Sequence, residues 1–101
     1  MNYSVQGNVL TLENGVVRIF KTAIRQVIAT DEAWVILLEE EIANNVIGLK
    51  PDGALFWRLK PTNGAIFIQR LEQHQTTVYC ESREGCRYLI HPSDGVLEKL
   101  G

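Results

Sequence analysis

Residues 44–61 read "NNVIGLKPDGALFWRLKP", and the pair Asp52-Gly53 at the centre decides how the rest is taken. An apolar run, "VIGL", stands before the pair and a second, "ALFWRL", after it. Asp-Gly and Asn-Gly tolerate the positive φ that tight turns demand, so such a pair between two β-rich runs is a strong local signal for a hairpin. The same punctuation recurs on both sides. Asn14-Gly15 separates "VLTL" from "VVRIF", and Asp94-Gly95 separates "RYLI" from "VLEKL". Three hairpins follow, their glycines at positions 15, 53 and 95, intervals of 38 and 42 residues. A period near 40 with a hairpin closing each unit is the spacing of four-stranded propeller-like blades.

Further strand-like runs fill the intervals: "RQVIAT" and "AWVILLEE" in the first, "AIFIQRLE" and "TTVYCES" in the second. The segment 31–43, "DEAWVILLEEEIA", also admits a helix, with Thr30 or Asp31 as its cap and Trp34, Val35, Leu37, Leu38 and Ile42 on one face. The β-branched Val35 and Ile36, the short run and the strand-like neighbours favour a strand. The expected fold is all-β: one domain over residues 1–101, an antiparallel meander of about nine to eleven short strands in propeller-blade-like units. Such a chain forms a partial propeller or a small curved sandwich, since two and a half blades cannot close a ring, and its open edges call for pairing or oligomerisation.

Composition narrows the function. The 101 residues are 46% hydrophobic and carry ten basic and twelve acidic side chains, a net charge of -2. Those are the proportions of an ordinary folded domain. The basic residues gather no further than Arg18, Lys21 and Arg25, or Lys50, Arg58 and Lys60, so there is no field of positive charge to displace counterions from a nucleic acid. The longest charge run, Glu39 to Glu41, lacks the Asp, Asn and Gly spacing of a calcium loop and reads as a solvated strand end. The longest apolar stretch, "AWVILL", is far short of the ~20 residues of a membrane span, and the N-terminus has no basic region followed by an apolar run. A cytoplasmic location without membrane or nucleic-acid partners is the expectation.

The hairpin at 47–59, "IGLKPDGALFWRL", resembles the tryptophan-bearing repeat of quinoprotein-type β-propellers, in which a tryptophan follows the turn glycine by four residues. Gly53 and Trp57 match. "LIHPSDGVLEKL" repeats the pattern with Lys99 in the tryptophan's place, and "LENGVVRIF" has Ile19 there. The chain is also similar to a group of short bacterial proteins of unknown activity with the pattern N-V-x-x-L-x-x-D-G-x-x-x-W, then G-x-R-Y-x-I-x-P-x-x-G. Asn45, Val46, Leu49, Asp52, Gly53 and Trp57 match the first half, and Gly85, Arg87, Tyr88, Ile90, Pro92 and Gly95 the second. The resemblance covers residues 45–100 and implies a fold, with Asp52, Gly53, Trp57, Asp94 and Gly95 as structural residues. The quinone of the larger propellers sits on an axis lined by many blades, which a chain of this length lacks, so no cofactor is expected.

Reactive side chains are sparse and scattered. His74, Cys80, Cys86 and His91 are the right ligand types for zinc, but their spacing has no C-x2-4-C knuckle. Cys80 and Cys86 face one another only if all of "ESREG" forms the loop. A tighter turn at Glu84-Gly85 rules out a disulfide, and two reduced thiols are the expected state. There is no nucleophile elbow, P-loop or dinucleotide fingerprint, and Ser4, Ser82 and Ser93 read as turn or terminal residues. Strict alternation after the turn puts Leu55, Trp57 and Leu59 in the core and Phe56, Arg58 and Lys60 on a mixed outer face. That face is the expected interaction surface. The leading functional expectation is a non-catalytic module acting through a protein partner or self-association. The alternative is a small-molecule binder or enzyme with a pocket between sheets and His74 and His91 at its mouth.

Overall fold

The computed structural model describes residues 2–39, 45–59 and 68–100. It is all-β, with eleven strands in three antiparallel meanders and no helix among the described residues. The N-terminal sheet holds β1 (Tyr3–Gln6), β2 (Val9–Leu12) and β3 (Val17–Ile19). The middle sheet runs β4 (Ile24–Ala29), β5 (Trp34–Leu38), β6 (Val46–Leu49), β7 (Leu55–Arg58). The C-terminal sheet runs β8 (Ile68–His74), β9 (Thr77–Ser82), β10 (Arg87–Ile90), β11 (Leu97–Lys99). In each sheet spatial order follows chain order, so every connection is a local hairpin.

The middle sheet is buried from both sides, which resolves the segment 31–43. Trp34, Ile36 and Leu38 point to one face, where they pack with Ile47, Leu49 and with Leu10 and Leu12 of the N-terminal sheet. Val35 and Leu37 point to the other, where Val46, Trp57 and Leu59 meet Ile68, Leu71, Val78, Cys80, Ile90 and Leu97 of the C-terminal sheet. All five residues of β5 are buried. A strand covered on both faces reads as an unbroken apolar run and loses the alternation that marks a half-exposed one. Thr30, the candidate helix cap, closes the β4–β5 turn instead. Its hydroxyl accepts the Ala33 N–H at 3.0 Å and donates to the Ala33 carbonyl at 2.9 Å. Residues 40–43 of that segment, with Glu40 and Glu41 of the acidic run, lie outside the described residues, as do Ala65 to Phe67 of the run preceding β8.

The three anticipated hairpins join β2 to β3, β6 to β7 and β10 to β11, and their turns share one design. Gly15, Gly53 and Gly95 have φ of 88°, 96° and 75°. The residue before each keeps negative φ and works through its side chain: Asn14, Asp52 and Asp94 accept the N–H two residues on, each at 3.0 Å. The positive φ thus falls on the glycine alone, while the Asx side chain satisfies the backbone. Repetition extends to the sheet edges. The first strands of the middle and C-terminal sheets each carry a bulge at the same place, at Arg25 in β4 and at Gln69 in β8.

One expectation of alternation fails. Trp57 and Leu59 are buried, but Leu55 is 64% exposed. The register between β6 and β7 slips after the pair Gly48↔Trp57, so that Leu49 faces Leu55 and Phe56 is the extra residue. A bulge breaks the period of two and turns Leu55 out of the core.

Candidate functional site

The three repeated turns stack in a column along one side of the molecule, tied by side-chain bonds from the first sheet to the second and from the second to the third. From the N-terminal sheet, Asn14 Nδ2 donates to the Asp52 carbonyl at 3.1 Å and Arg18 Nε to the Gly53 carbonyl at 2.6 Å. From the middle sheet, Trp57 Nε1 donates to the Pro92 carbonyl at 2.7 Å. The Trp57 ring is wedged between Gly48 of its own sheet and Gly95 of the third turn. A methyl group on either glycine would run into the indole. Strand register identifies the counterparts of Trp57. It pairs with Gly48, as Arg18 pairs with Leu10 and Glu98 with Leu89. Counting four residues from each glycine had pointed to Ile19 and Lys99 instead, because the count ignores the bulge at Phe56. These residues build the architecture.

Two side-chain amides pin the C-terminal sheet to the middle one. Asn45, buried, donates to the Ile68 carbonyl at 2.8 Å and accepts the Ile68 N–H at 3.1 Å. Gln26 donates to the Leu71 carbonyl at 3.1 Å and accepts the Leu71 N–H at 2.7 Å. Each amide imitates one rung of a β-ladder across the two layers, which also meet through apolar contacts, the Trp57–Pro92 bond and a bond from Gln73 Nε2 to the Ala29 carbonyl at 3.2 Å. Neither role was visible in the sequence, where both residues look like polar loop or surface positions.

The expected interaction surface is in part described. Phe56 is exposed on the edge strand β7, with the Lys50 ammonium 5.8 Å from its ring centroid. Arg58 is also exposed, and Lys60 lies outside the described residues. The two outer faces of the stack differ sharply. On the C-terminal sheet, Arg70 pairs with Glu81 at 3.1 Å and Arg87 with Glu72 at 3.0 Å, and His91 Nε2 lies 3.5 Å from a Glu98 carboxylate oxygen. Tyr79 lies among them, with the Arg87 guanidinium 5.5 Å from its ring centroid and the His74 ring 5.6 Å away edge-on. Exposed ion pairs stabilise little, about 0–1 kcal/mol each, but they make this face well suited to water. On the N-terminal sheet the pairs Val9↔Ile19 and Thr11↔Val17 share the outer face, opposite Leu10 and Leu12. Val17 is 52% and Ile19 73% exposed.

The zinc-type residues are divided by the C-terminal sheet. Cys80, opposite Tyr88, faces the core, while His74 and His91 belong to the outer face with Tyr79 and Glu98. The Ser82 N–H bonds to the Cys86 carbonyl across a tight turn closed by Gly85, so Cys86 stands opposite Ser82 rather than Cys80, and both thiols are free. Burial pushes the Cys80 thiol up from 9.0 to about 12. Burial, then the neighbouring Cys86, raises the Tyr88 hydroxyl as well. His74 lines a shallow depression with Tyr79, Arg87 and Leu100, in which His91 takes no part. Among the described residues no group of three His, Cys, Asp or Glu side chains gathers within reach of one metal ion. Ser4 lies within β1 and not in a turn, and Ser82 is buried, its hydroxyl accepting the Cys86 N–H at 3.2 Å.

Sequence reasoning passed over a groove of about 370 Å³ between β1 and β4, lined by Tyr3, Val5, Ile24, Arg25, Gln26 and Val27. Its one sequence-level signal is "YSVQ" itself, an apolar-polar alternation without charge or proline.

Fold and surfaces together define the class: an all-antiparallel domain of three stacked meanders whose distinctive side chains serve the contacts between layers. The chain belongs to the family described as a domain of unknown function, DUF7957, whose model matches residues 1–101. No match is found among curated proteins. Among the described residues, no helix is long and apolar enough to cross a membrane.

Proposed function

We propose that this domain is a non-catalytic module that works through protein-protein contact, with a partner protein or a second copy of itself. The observation that carries this reading is the inequality of the two ends of the stack. One end carries two Arg–Glu pairs around Tyr79, with Leu100 exposed beside them, and the other exposes Val17 and Ile19 on a face that a further β layer would cover. In the other two sheets the corresponding face is covered by the preceding layer, through Ile47 and Leu49 in one and Ile90 in the other. Apolar surface left at the end of a layered stack favours association because covering it removes it from water. Phe56 and Arg58 on β7 form a second contact region of the same reading.

The reading includes kinship with propeller-type repeats, supported by the threefold turn design and the paired bulges. It also includes a bacterial, cytoplasmic setting. The bacterial part comes from the motif resemblance, and the cytoplasmic part is supported by a buried thiol held out of register with its neighbour. A nucleic-acid partner is left out because the ten basic side chains are scattered and outnumbered by twelve acidic ones, and Arg70 and Arg87 are paired with acids. Sedimentation of the purified protein from micromolar to millimolar concentration, with capture from a native lysate, tests the proposal. Association that Ile19→Asp weakens at least tenfold is the expected result. A strict monomer whose captured proteins are the same for wild type and Ile19→Asp would overturn it.

A further inference from the structure

Among the described residues the N-terminal sheet has three strands where the others have four, and the repeated turns show which of the four positions no described strand fills. Because the turn at Gly15 corresponds to those at Gly53 and Gly95, β1 corresponds to β5 and β9. The position filled by β4 and β8 in the other sheets lies beside β1, on its open edge. The groove floored by Ile24 to Val27 lies there, and Tyr3 and Val5, which share the core-facing side with Leu12 and Leu10, remain exposed at its rim.

We propose that the open edge of β1 and the groove beside it form a docking site for an extended, acidic peptide segment of another protein. The segment adds antiparallel to β1 as a fourth strand. The inference rests on the reading of the domain as a contact module, and it names a site and a ligand chemistry for it.

Three observations support it. The first is the state of the edge. A sheet edge normally carries a guard against further pairing: a charge, a proline or a bulge. The edges at β4 and β8 carry bulges at Arg25 and Gln69, whereas β1, Tyr-Ser-Val-Gln, carries no guard and is exposed throughout. The second is shape. The groove has an apolar floor and rim from Ile24, Val27, Tyr3 and Val5, suited to alternate side chains of an extended strand whose backbone bonds to β1. The third is charge. Arg25 is the single ionisable group of charged type lining the groove, and it has no ion-pair partner among the described residues. A carboxylate on the incoming strand supplies that partner. A second copy's β1 has no acidic residue, and the acids of its β8, β9 and β11 already face Arg87, Arg70 and His91, which favours a strand from another protein.

The test uses the whole protein and two synthetic nine-residue peptides of alternating threonine and valine, one with glutamate and one with lysine at the centre. Amide hydrogen exchange and chemical-shift mapping report the site, and titration reports affinity. The glutamate peptide should slow exchange of amides within Tyr3–Gln6 at least tenfold and bind at least tenfold more tightly than the lysine peptide. Arg25→Glu should invert that preference, and Val5→Lys, which puts a guard on the edge, should abolish binding of both. Both positions are exposed to solvent. If Arg25→Glu does not fold, Arg25→Gln should erase the difference between peptides. Any of three results overturns the proposal: no change at β1 with either peptide, equal affinity for both, or protection of β1 that rises with protein concentration in a dimer without peptide. If the peptides fail while Ile19→Asp still weakens association, the groove falls and the contact module stands. If the peptides bind as expected while Ile19→Asp changes nothing, the end face falls and the groove stands.

Discussion

Substituting alanine for Gly48 separates packing from backbone strain in the column of stacked turns. Gly48 is on β6 with an ordinary φ, and a Cβ added there would run into the Trp57 indole. Overpacking of a filled core costs about 1–3 kcal/mol, offset by the ~0.5–1 kcal/mol gained when a strand glycine becomes alanine. Gly48→Ala should therefore lose about 1–2 kcal/mol. Two other glycines provide the controls. Gly15, at φ 88° with nothing within 4 Å of its Cβ position, should lose only the left-handed penalty of about 1–2 kcal/mol. Gly95, at φ 75° and against the Trp57 ring, should lose both, about 2–5 kcal/mol. The decisive measurement is the dependence on the ring. In a Trp57→Leu background the space opens, so Gly48→Ala should become neutral or stabilising and Gly95→Ala should fall to the cost of Gly15→Ala, a coupling of about 1–3 kcal/mol at each. Gly15→Ala should cost the same in both backgrounds. Urea unfolding followed by far-UV circular dichroism reads all of these without relying on the tryptophan being replaced. An unchanged cost of Gly48→Ala in the Trp57→Leu protein would refute the wedge.

Asn45→Ala should lose about 2–4 kcal/mol, because it leaves the N–H and carbonyl of Ile68 without the amide that now satisfies both. Hydrogen exchange at Ile68 should accelerate with it, and unchanged exchange there would contradict the bridging role. Raising the pH should weaken the fold through Cys80. The folded thiol keeps its proton up to about 12 while the unfolded one loses it near 9.0, so this group's contribution is fully present below 9.0 and lost as pH climbs towards about 12. The unfolded state binds fewer protons in that window, so stability drops by up to ~1.4 kcal/mol per pH unit. Cys80→Ala should flatten that part of the pH-stability profile whatever it does to stability at neutral pH. Gln75 has φ of 57° in the two-residue turn between β8 and β9, and Gln75→Gly should stabilise by about 0.5–1 kcal/mol, read as a higher urea midpoint.

What could be read in advance was what is local. Asn14-Gly15, Asp52-Gly53 and Asp94-Gly95 each build their turn from their own four or five residues, so their chemistry is complete in the sequence. The strand at 34–38 was harder because its unbroken apolar character comes from two layers that arrive from residues 10–12 and 68–97. Leu55 was misread because the bulge at Phe56 is a property of the pairing of β6 with β7, and no residue there announces it. Gln26 and Asn45 were missed for the same reason, since each bonds a backbone more than 20 positions away. The groove beside β1 was further out of reach, because a site defined by an unfilled strand position appears only when three sheets are compared.

The bulge also changes what the lone tryptophan signifies. Counted from the turn glycine, Trp57 has Ile19 and Lys99 as counterparts, and the signature looks lost in two units of three. Compared by register, its counterparts are Arg18 and Glu98, and each suits what lies beneath it. Arg18 reaches the Gly53 carbonyl of the next turn as Trp57 reaches that of Pro92, one with a guanidinium and the other with an indole. Glu98 is in the last sheet, where no further layer follows among the described residues, and it turns to His91 on the charged outer face. The position therefore faces outward from its sheet in all three, and in the first two it docks on the next layer. Its residue changes because the surface it meets changes, from a turn that a charged donor can reach, to a glycine-lined slot that only a flat ring fills, to water.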